Sequence, residues 1–60
     1  MKKVINVKGS GRLPIEYCEM RSFNNIYEEI PENDNLMIAF LEMYNGVYED
    51  ESCKWILVEE

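Results

Sequence analysis

The sequence predicts a small α+β fold, in which a three-stranded, mostly antiparallel sheet carries one or two short helices on one face. Three observations predict it. The 60 residues leave room for one domain, spanning residues 1–60. The apolar fraction of 47% is typical of a chain that folds. Segments with the composition of strands occur beside segments with helical periodicity, in the order β-β-α-α-β.

Three segments have the composition of strands. Residues 3–8 are rich in β-branched side chains, and residues 15–20 follow them across a Gly-Ser-Gly turn, so the two segments predict a hairpin. Residues 53–58 predict the third strand. Apolar side chains occupy both faces of the first and last strands, whereas the helices cover only one face of the sheet. The second face is therefore expected to meet a partner subunit or a target, unless the sheet curls around the helices.

Two segments between these strands predict helices. Four apolar residues have the spacing of one helical face: Phe23, Ile26, Tyr27 and Ile30. They predict a helix that begins with Ser22 as its N-cap and ends before Pro31. Residues 36–44 predict a second helix, with capping residues at positions 33–35 and an Asn-Gly pair after its end. The same Asn-Gly pair also favours a hairpin, so a strand over residues 36–44 stays open.

The residue types that carry most catalysis are absent or unfavourably spaced. There is no histidine, which removes the commonest general base and the commonest zinc ligand. Cys18 and Cys53 lie outside any Cys-x-x-Cys motif, and we expect them to be buried, reduced packing residues on strands. On a strand, Glu16 and Glu19 would point to opposite faces, which argues against an acid–base pair. The sequence therefore predicts no enzyme, no cofactor and no metal site.

The charge is divided unevenly along the chain. The formal net charge is −6, with net +4 in residues 1–12 and net −10 in the remainder. Residues 28–51 contain eight acidic residues and no basic residue. Such a run predicts an acidic face that docks on a basic site of another protein, in the place of nucleic-acid phosphates. The alternative interpretation is an ordinary solvated surface.

The candidate partner-binding residues combine this acidic run with aromatic side chains, which often anchor protein interfaces. They are Glu28, Glu29, Glu32, Asp34, Tyr44, Tyr48, Glu49, Asp50 and Glu51. Trp55 is a further candidate anchor. For the aromatic residues a structural role is the alternative, in which they pack the end of the second helix on the last strand.

In size, acidity and mixed α/β pattern, the chain resembles the small accessory proteins of bacteriophages, which include inhibitors of host enzymes and defence systems. Together with the acidic run and the lack of catalytic residues, this resemblance leads us to expect a non-enzymatic inhibitor in the host cytoplasm, bound to the basic nucleic-acid-binding site of a host or defence protein. No apolar run approaches the ~20 residues of a membrane span, and we expect no direct contact with nucleic acid or membrane.

Two other functions stay open at this point. One is a homodimer or larger homo-oligomer with a role in assembly, in which the strands at residues 3–8 and 53–58 pair or stack between subunits. The other is a small DNA-binding regulator that uses the basic segment at residues 1–12.

Overall fold

The computed structural model describes residues 1–60 and has the element order β-α-α-β-β. The elements are β1 (Lys2–Lys8), α1 (Ile15–Arg21), α2 (Asn35–Glu42), β2 (Val47–Glu49) and β3 (Lys54–Glu59). Both β1 and β2 pair with β3 in antiparallel orientation, so the sheet order is β1-β3-β2. The predicted α+β class is confirmed, with a three-stranded antiparallel sheet and two short helices. However, some segments of the chain form a different type of element from the one predicted for them.

Residues 15–20, predicted to be a strand, form most of helix α1. Pro14 precedes the helix with φ −60° and ψ 139°, and its missing N–H costs nothing at a helix start. Glu16 in the first turn and Arg21 in the last turn have the charges that the helix dipole favours. Tyr17 is fully buried while Ile15 is 54% exposed, so the two side chains do not share a face. The prediction was wrong because six residues contain too few periods to separate strand from helix.

Residues 22–30, predicted to be a helix, contain no helix. Ser22 ends α1 instead of beginning a new helix, and its φ of 59° and ψ of 37° place it in the left-handed region. The Phe23 N–H donates to the Cys18 carbonyl at 2.9 Å, as in a Schellman-type helix end. Further along, the Leu13 N–H donates to the Ile26 carbonyl at 2.6 Å. Phe23 and Ile26 therefore pack against the core from an irregular segment.

Residues 35–42 are helical, which confirms the helix predicted here and excludes the strand alternative. Asp34 caps α2, because its side chain accepts a hydrogen bond from the Met37 N–H at 2.9 Å. After the helix, Asn45 and Gly46 both adopt positive φ, and the Gly46 N–H donates to the Leu41 carbonyl at 2.8 Å. This ending turns the chain directly into β2.

Helix α2 lies across one face of the sheet and contacts all three strands. Val4 and Trp55 are buried on that face, and Tyr48 and Leu57 pack beside them. The other buried apolar residues are Leu13, Tyr17, Cys18, Met37, Phe40, Leu41 and Cys53. Both cysteines are buried free thiols, as predicted, although neither lies on a strand, because Cys18 belongs to α1 and Cys53 precedes β3.

The opposite face of the sheet is not covered by a helix. The strand register aligns Ile5, Ile56 and Val47 in one row, with Val58 beside Lys3 in the next row. Ile5 is 38% exposed and Val47 is 48% exposed, while Ile56 and Val58 are half-buried. Two helices thus leave apolar side chains open on one side of the sheet, as the sequence indicates. Neither helix has both the length and the apolar content that crossing a membrane requires.

Candidate partner-binding surface

The nine candidate residues do not form one surface. Asp34 lies between α1 and α2, and the two tyrosines pack against Phe40. The acidic triplet at residues 49–51 begins at the last residue of β2, at one end of the sheet. Glu28 and Glu29 border a groove beside the turn at residues 9–11. Each group has its own neighbours, and these decide which carboxylates are available to a partner.

Asp34 is occupied within the fold. Besides capping α2, its carboxylate accepts from the Tyr17 hydroxyl at 2.7 Å and from the Arg21 guanidinium at 2.9 and 3.0 Å. Burial by itself raises the pKa of Asp34, but the hydrogen bonds from Tyr17, Met37 and Arg21 outweigh it and hold that pKa below its usual value. The Asp34 side chain is only 13% exposed. Its role is therefore to join α1 to α2.

Tyr44 and Tyr48 belong to an aromatic cluster with Phe40. The ring centroids lie 5.0 Å apart for Phe40 and Tyr44, 5.4 Å for Phe40 and Tyr48, and 5.1 Å for the two tyrosines. The Tyr44 hydroxyl donates to Glu16, and the Tyr48 hydroxyl donates to Asp50 at 3.0 Å. Burial, assisted by the Asp50 carboxylate, raises the pKa of Tyr48 to about 12. Both tyrosines pack the end of α2 against β2.

The acidic triplet consists of three residues with different roles. The Asp50 carboxylate accepts from the Ser52 N–H at 2.7 Å and the Cys53 N–H at 2.8 Å, so it forms the turn between β2 and β3. These two backbone hydrogen bonds hold the pKa of Asp50 below its usual value. Glu49 pairs with Lys8 at 3.6 Å. Glu51 is exposed and its side chain has no hydrogen bond or ion pair, so among these three residues only Glu51 is free to contact a partner.

The basic amino-terminal segment neutralises part of the acidic surface. Lys2 pairs with Glu42 at 2.6 Å, and Lys3 pairs with Glu60 at 2.5 Å. The hydrogen bond from Lys3 to Glu60, with a smaller contribution from Glu32, raises the pKa of Lys3. The Glu32 carbonyl also accepts from the Val4 N–H at 2.7 Å, which occupies part of the outer edge of β1. Glu32 is therefore partly used by the fold, although its side chain is exposed.

Glu28 and Glu29 are exposed carboxylates beside an aromatic groove. The groove has a volume of about 410 Å³ and is lined by Ser10, Gly11, Tyr27, Glu28, Glu29, Ile30 and Trp55. We call it the Tyr27 groove. Its floor includes Trp55, which is 6% exposed and whose indole N–H donates to the Arg12 carbonyl at 2.8 Å. Tyr27 is 54% exposed at its rim.

The sequence does not reveal this groove, because the helical spacing places Tyr27 and Ile30 on the buried face of a predicted helix. Tyr27 instead follows a turn in which the Asn25 side chain accepts from the Tyr27 N–H at 2.9 Å. Two consecutive asparagines, Asn24 and Asn25, were the available signal, because asparagine favours turns over helix interiors.

The two thiols are buried and belong to no cluster of potential metal ligands. Burial raises the pKa of Cys53 to about 11, and burial also raises the pKa of Cys18, so both stay protonated near neutral pH. No group of three or more cysteine, aspartate or glutamate side chains is close enough to hold a metal ion. The comparisons with known proteins give no match to a family model, a curated protein or a solved structure.

Proposed function

We propose that this chain is a small acidic interaction protein without catalytic activity, which inhibits a host or defence protein by occupying its basic nucleic-acid-binding site. The observation that carries the proposal is the pair Glu28 and Glu29, exposed beside an aromatic groove and unpaired within the chain. Four other acids of the region are paired or hydrogen-bonded within the fold, namely Asp34, Glu42, Glu49 and Asp50.

The electrostatics support docking on a basic partner. The net charge of −6 attracts a cationic surface over several ångströms and raises the association rate, an effect that salt screens. Glu28 and Glu29 are consecutive and have no lysine or arginine in contact to compete with a partner. Glu51 adds a third free carboxylate at the end of the sheet.

The test is affinity capture from a bacterial lysate with the immobilised chain, followed by a competition assay on the captured protein. We expect a protein that is retained in low salt and released in high salt. Added chain should reduce the binding of nucleic acid by that protein. The proposal would be contradicted if retention of the captured protein did not depend on salt, or if added chain left its binding of nucleic acid unchanged.

The variant for this test reverses only carboxylates that the fold does not use. Glu28→Lys combined with Glu29→Lys should abolish capture, and adding Glu51→Lys shows whether the end of the sheet contributes. Reversal of the whole triplet at residues 49–51 is a poor test, because Asp50 forms the β2–β3 turn and its loss destabilises the fold. Reversal of Glu19, which is exposed on α1 and unpaired, is the control and should leave capture unchanged.

The open sheet face favours a second candidate function, self-association for assembly. Ile5, Val47, Ile56 and Val58 are adjacent across three strands and are bordered by charged residues, as in many protein interfaces. Sedimentation at micromolar concentration tests it. A concentration-dependent dimer that Ile56→Lys disrupts would support self-association, and a strict monomer would exclude it.

A further inference from the structure

We propose that the Tyr27 groove receives an arginine side chain from the partner protein. This inference rests on the proposed function, because it names the group of the basic partner that the free carboxylates recognise. The guanidinium would lie against the Tyr27 ring and donate hydrogen bonds to the carboxylates of Glu28 and Glu29, while the aliphatic stem would lie over Trp55 and Ile30.

Polar groups at the rim of the groove have no partner in the chain. Three tyrosine hydroxyls donate to carboxylates: Tyr17 to Asp34, Tyr44 to Glu16 and Tyr48 to Asp50. The Tyr27 hydroxyl makes no such bond, and neither Glu28 nor Glu29 accepts one. The groove therefore presents acceptors of hydrogen bonds, and negative charge, to a ligand from outside.

The floor of the groove is suited to an aliphatic chain. The indole N–H of Trp55 already donates to the Arg12 carbonyl at 2.8 Å, so the indole offers only carbon surface to the groove. Ile30 is half-buried and packs against the core at the same site. A long side chain with an apolar stem and a cationic end matches an apolar floor below an acidic rim.

Arginine fits this arrangement better than lysine. Its planar guanidinium stacks on aromatic rings and can donate to two carboxylate oxygens in parallel, which an ammonium group cannot do. The fold itself contains this contact, since the Arg21 guanidinium lies 4.9 Å from the centroid of the Phe23 ring and donates to Asp34. Arg12 makes no ion pair with Glu28 or Glu29, so the chain does not fill the groove with its own nearby arginine.

The experiment uses three blocked tripeptides with leucine on both sides of a central residue, which is arginine, lysine or citrulline. Citrulline has nearly the shape of arginine and no charge. Each peptide is titrated into the isotopically labelled full chain, and the backbone amide signals are followed by nuclear magnetic resonance. We expect the arginine peptide to shift the signals of residues 10–11 and 27–30 saturably, the lysine peptide to bind more weakly, and the citrulline peptide to have little effect.

Two double variants with the same change in net charge separate the groove from general electrostatics. Glu28→Gln with Glu29→Gln should weaken binding of the arginine peptide roughly fivefold, because two exposed ion pairs are lost. Glu19→Gln with Glu59→Gln removes two exposed carboxylates that do not line the groove and should change affinity by less than about 1.5-fold. Tyr27→Leu keeps an apolar rim and should weaken binding roughly threefold through the loss of the cation–π contact.

Any of the following outcomes would overturn the inference without contradicting the proposed function, which the capture experiment tests separately. Equal weakening by the two double variants would show diffuse attraction to the acidic surface. Equal binding of the arginine and citrulline peptides would show an apolar occupant, and equal binding of arginine and lysine would show a site that recognises charge alone. If no peptide shifts the groove signals while lysate capture still depends on Glu28 and Glu29, the partner uses the carboxylates without inserting an arginine.

Discussion

Asp34 is the most connected polar side chain of the molecule. The sequence predicts two roles for Asp34, as a capping residue of the second helix and as a contact for a partner. The cap is confirmed, but the ion pair with Arg21 and the hydrogen bond from Tyr17 use the remaining acceptor capacity of the carboxylate. Neither contact could be inferred from spacing, because Arg21 and Tyr17 lie far from Asp34 in the sequence and approach it only when α1 packs beside α2.

Asp34→Ala is expected to lower the free energy of unfolding by about 2–3 kcal/mol. The change removes a helix cap, which contributes about 1 kcal/mol, and leaves a half-buried arginine and a tyrosine hydroxyl without their partner. Urea unfolding followed by circular dichroism measures the loss. Asp34→Asn keeps the cap but removes the charge, so its loss should be smaller. If both variants unfold like the wild type, the network contributes nothing to stability.

Acid should weaken the fold through the same carboxylate. Because the pKa of Asp34 is lower in the folded chain than in the unfolded chain, its charge stabilises the fold above the unfolded value, about 4. That contribution disappears as the pH falls through the folded pKa. The Asp50 carboxylate acts in the same direction. Thermal melting from pH 7 to pH 2 should show a steeper loss for the wild type below about pH 4 than for Asp34→Asn, and parallel curves would contradict this.

At the scale of elements, the sequence predicted β1, α2 and β3 correctly, and the predictions over residues 15–30 were wrong. Nine residues of mostly apolar, helix-favouring composition with a cap before them predicted α2 correctly. Residues 15–20 include β-branched and aromatic side chains, which favour a strand. In the structure they form a helix, with Pro14 as its N-cap and Ser22 as its C-cap. The strand missing from that position is supplied by β2, whose pairing with β3 depends on the turn that Asp50 forms. Local composition could not show this pairing.

The loop after β1 gives a test of tertiary packing at one glycine. Gly9 and Gly11 both have positive φ, of 99° and 87°. A Cβ at Gly9 would lie 2.4 Å from the Ser52 carbonyl oxygen, whereas a Cβ at Gly11 would meet nothing within 4 Å. The turn after β1 must therefore pass close to the backbone that enters β3.

Gly9→Ala should destabilise the fold by at least about 1 kcal/mol more than Gly11→Ala. Both variants incur the strain of a left-handed alanine, about 1–2 kcal/mol, but only the first also forces backbone atoms apart. Chemical unfolding of the two variants under the same conditions measures the difference. Equal losses would show that the loop moves freely away from residue 52.

In the whole molecule, most of the positive charges of residues 1–12 lie close to carboxylates from other parts of the chain. The positive segment forms β1, and three of its lysines reach carboxylates from distant parts of the chain: Lys2 to Glu42, Lys3 to Glu60 and Lys8 to Glu49. The pairs are exposed, so each contributes little stability. They leave fewer unpaired cations to contact phosphates and fewer unpaired carboxylates to contact a basic partner.

Duplex DNA should therefore not bind this chain. Arg12 is the only cation of the basic segment without a carboxylate partner, and the molecule as a whole carries −6. A gel-shift assay in low salt checks this expectation, with the variant Glu42→Gln and Glu49→Gln as a comparison in which two lysines are released. A salt-sensitive complex of the wild-type chain would restore the DNA-binding regulator as a candidate.

The sequence by itself determined the α+β class, helix α2 with its cap, the strands β1 and β3, the burial of both thiols and the excess of negative charge. These depend on composition and on contacts between near neighbours. Only the tertiary structure decided the identity of the third strand, the fate of residues 15–30 and the separation of free from occupied carboxylates. The physical reason is that groups distant in the chain decide whether a carboxylate is paired, buried or left exposed. A local sequence pattern contains no information about which distant groups will pack against it.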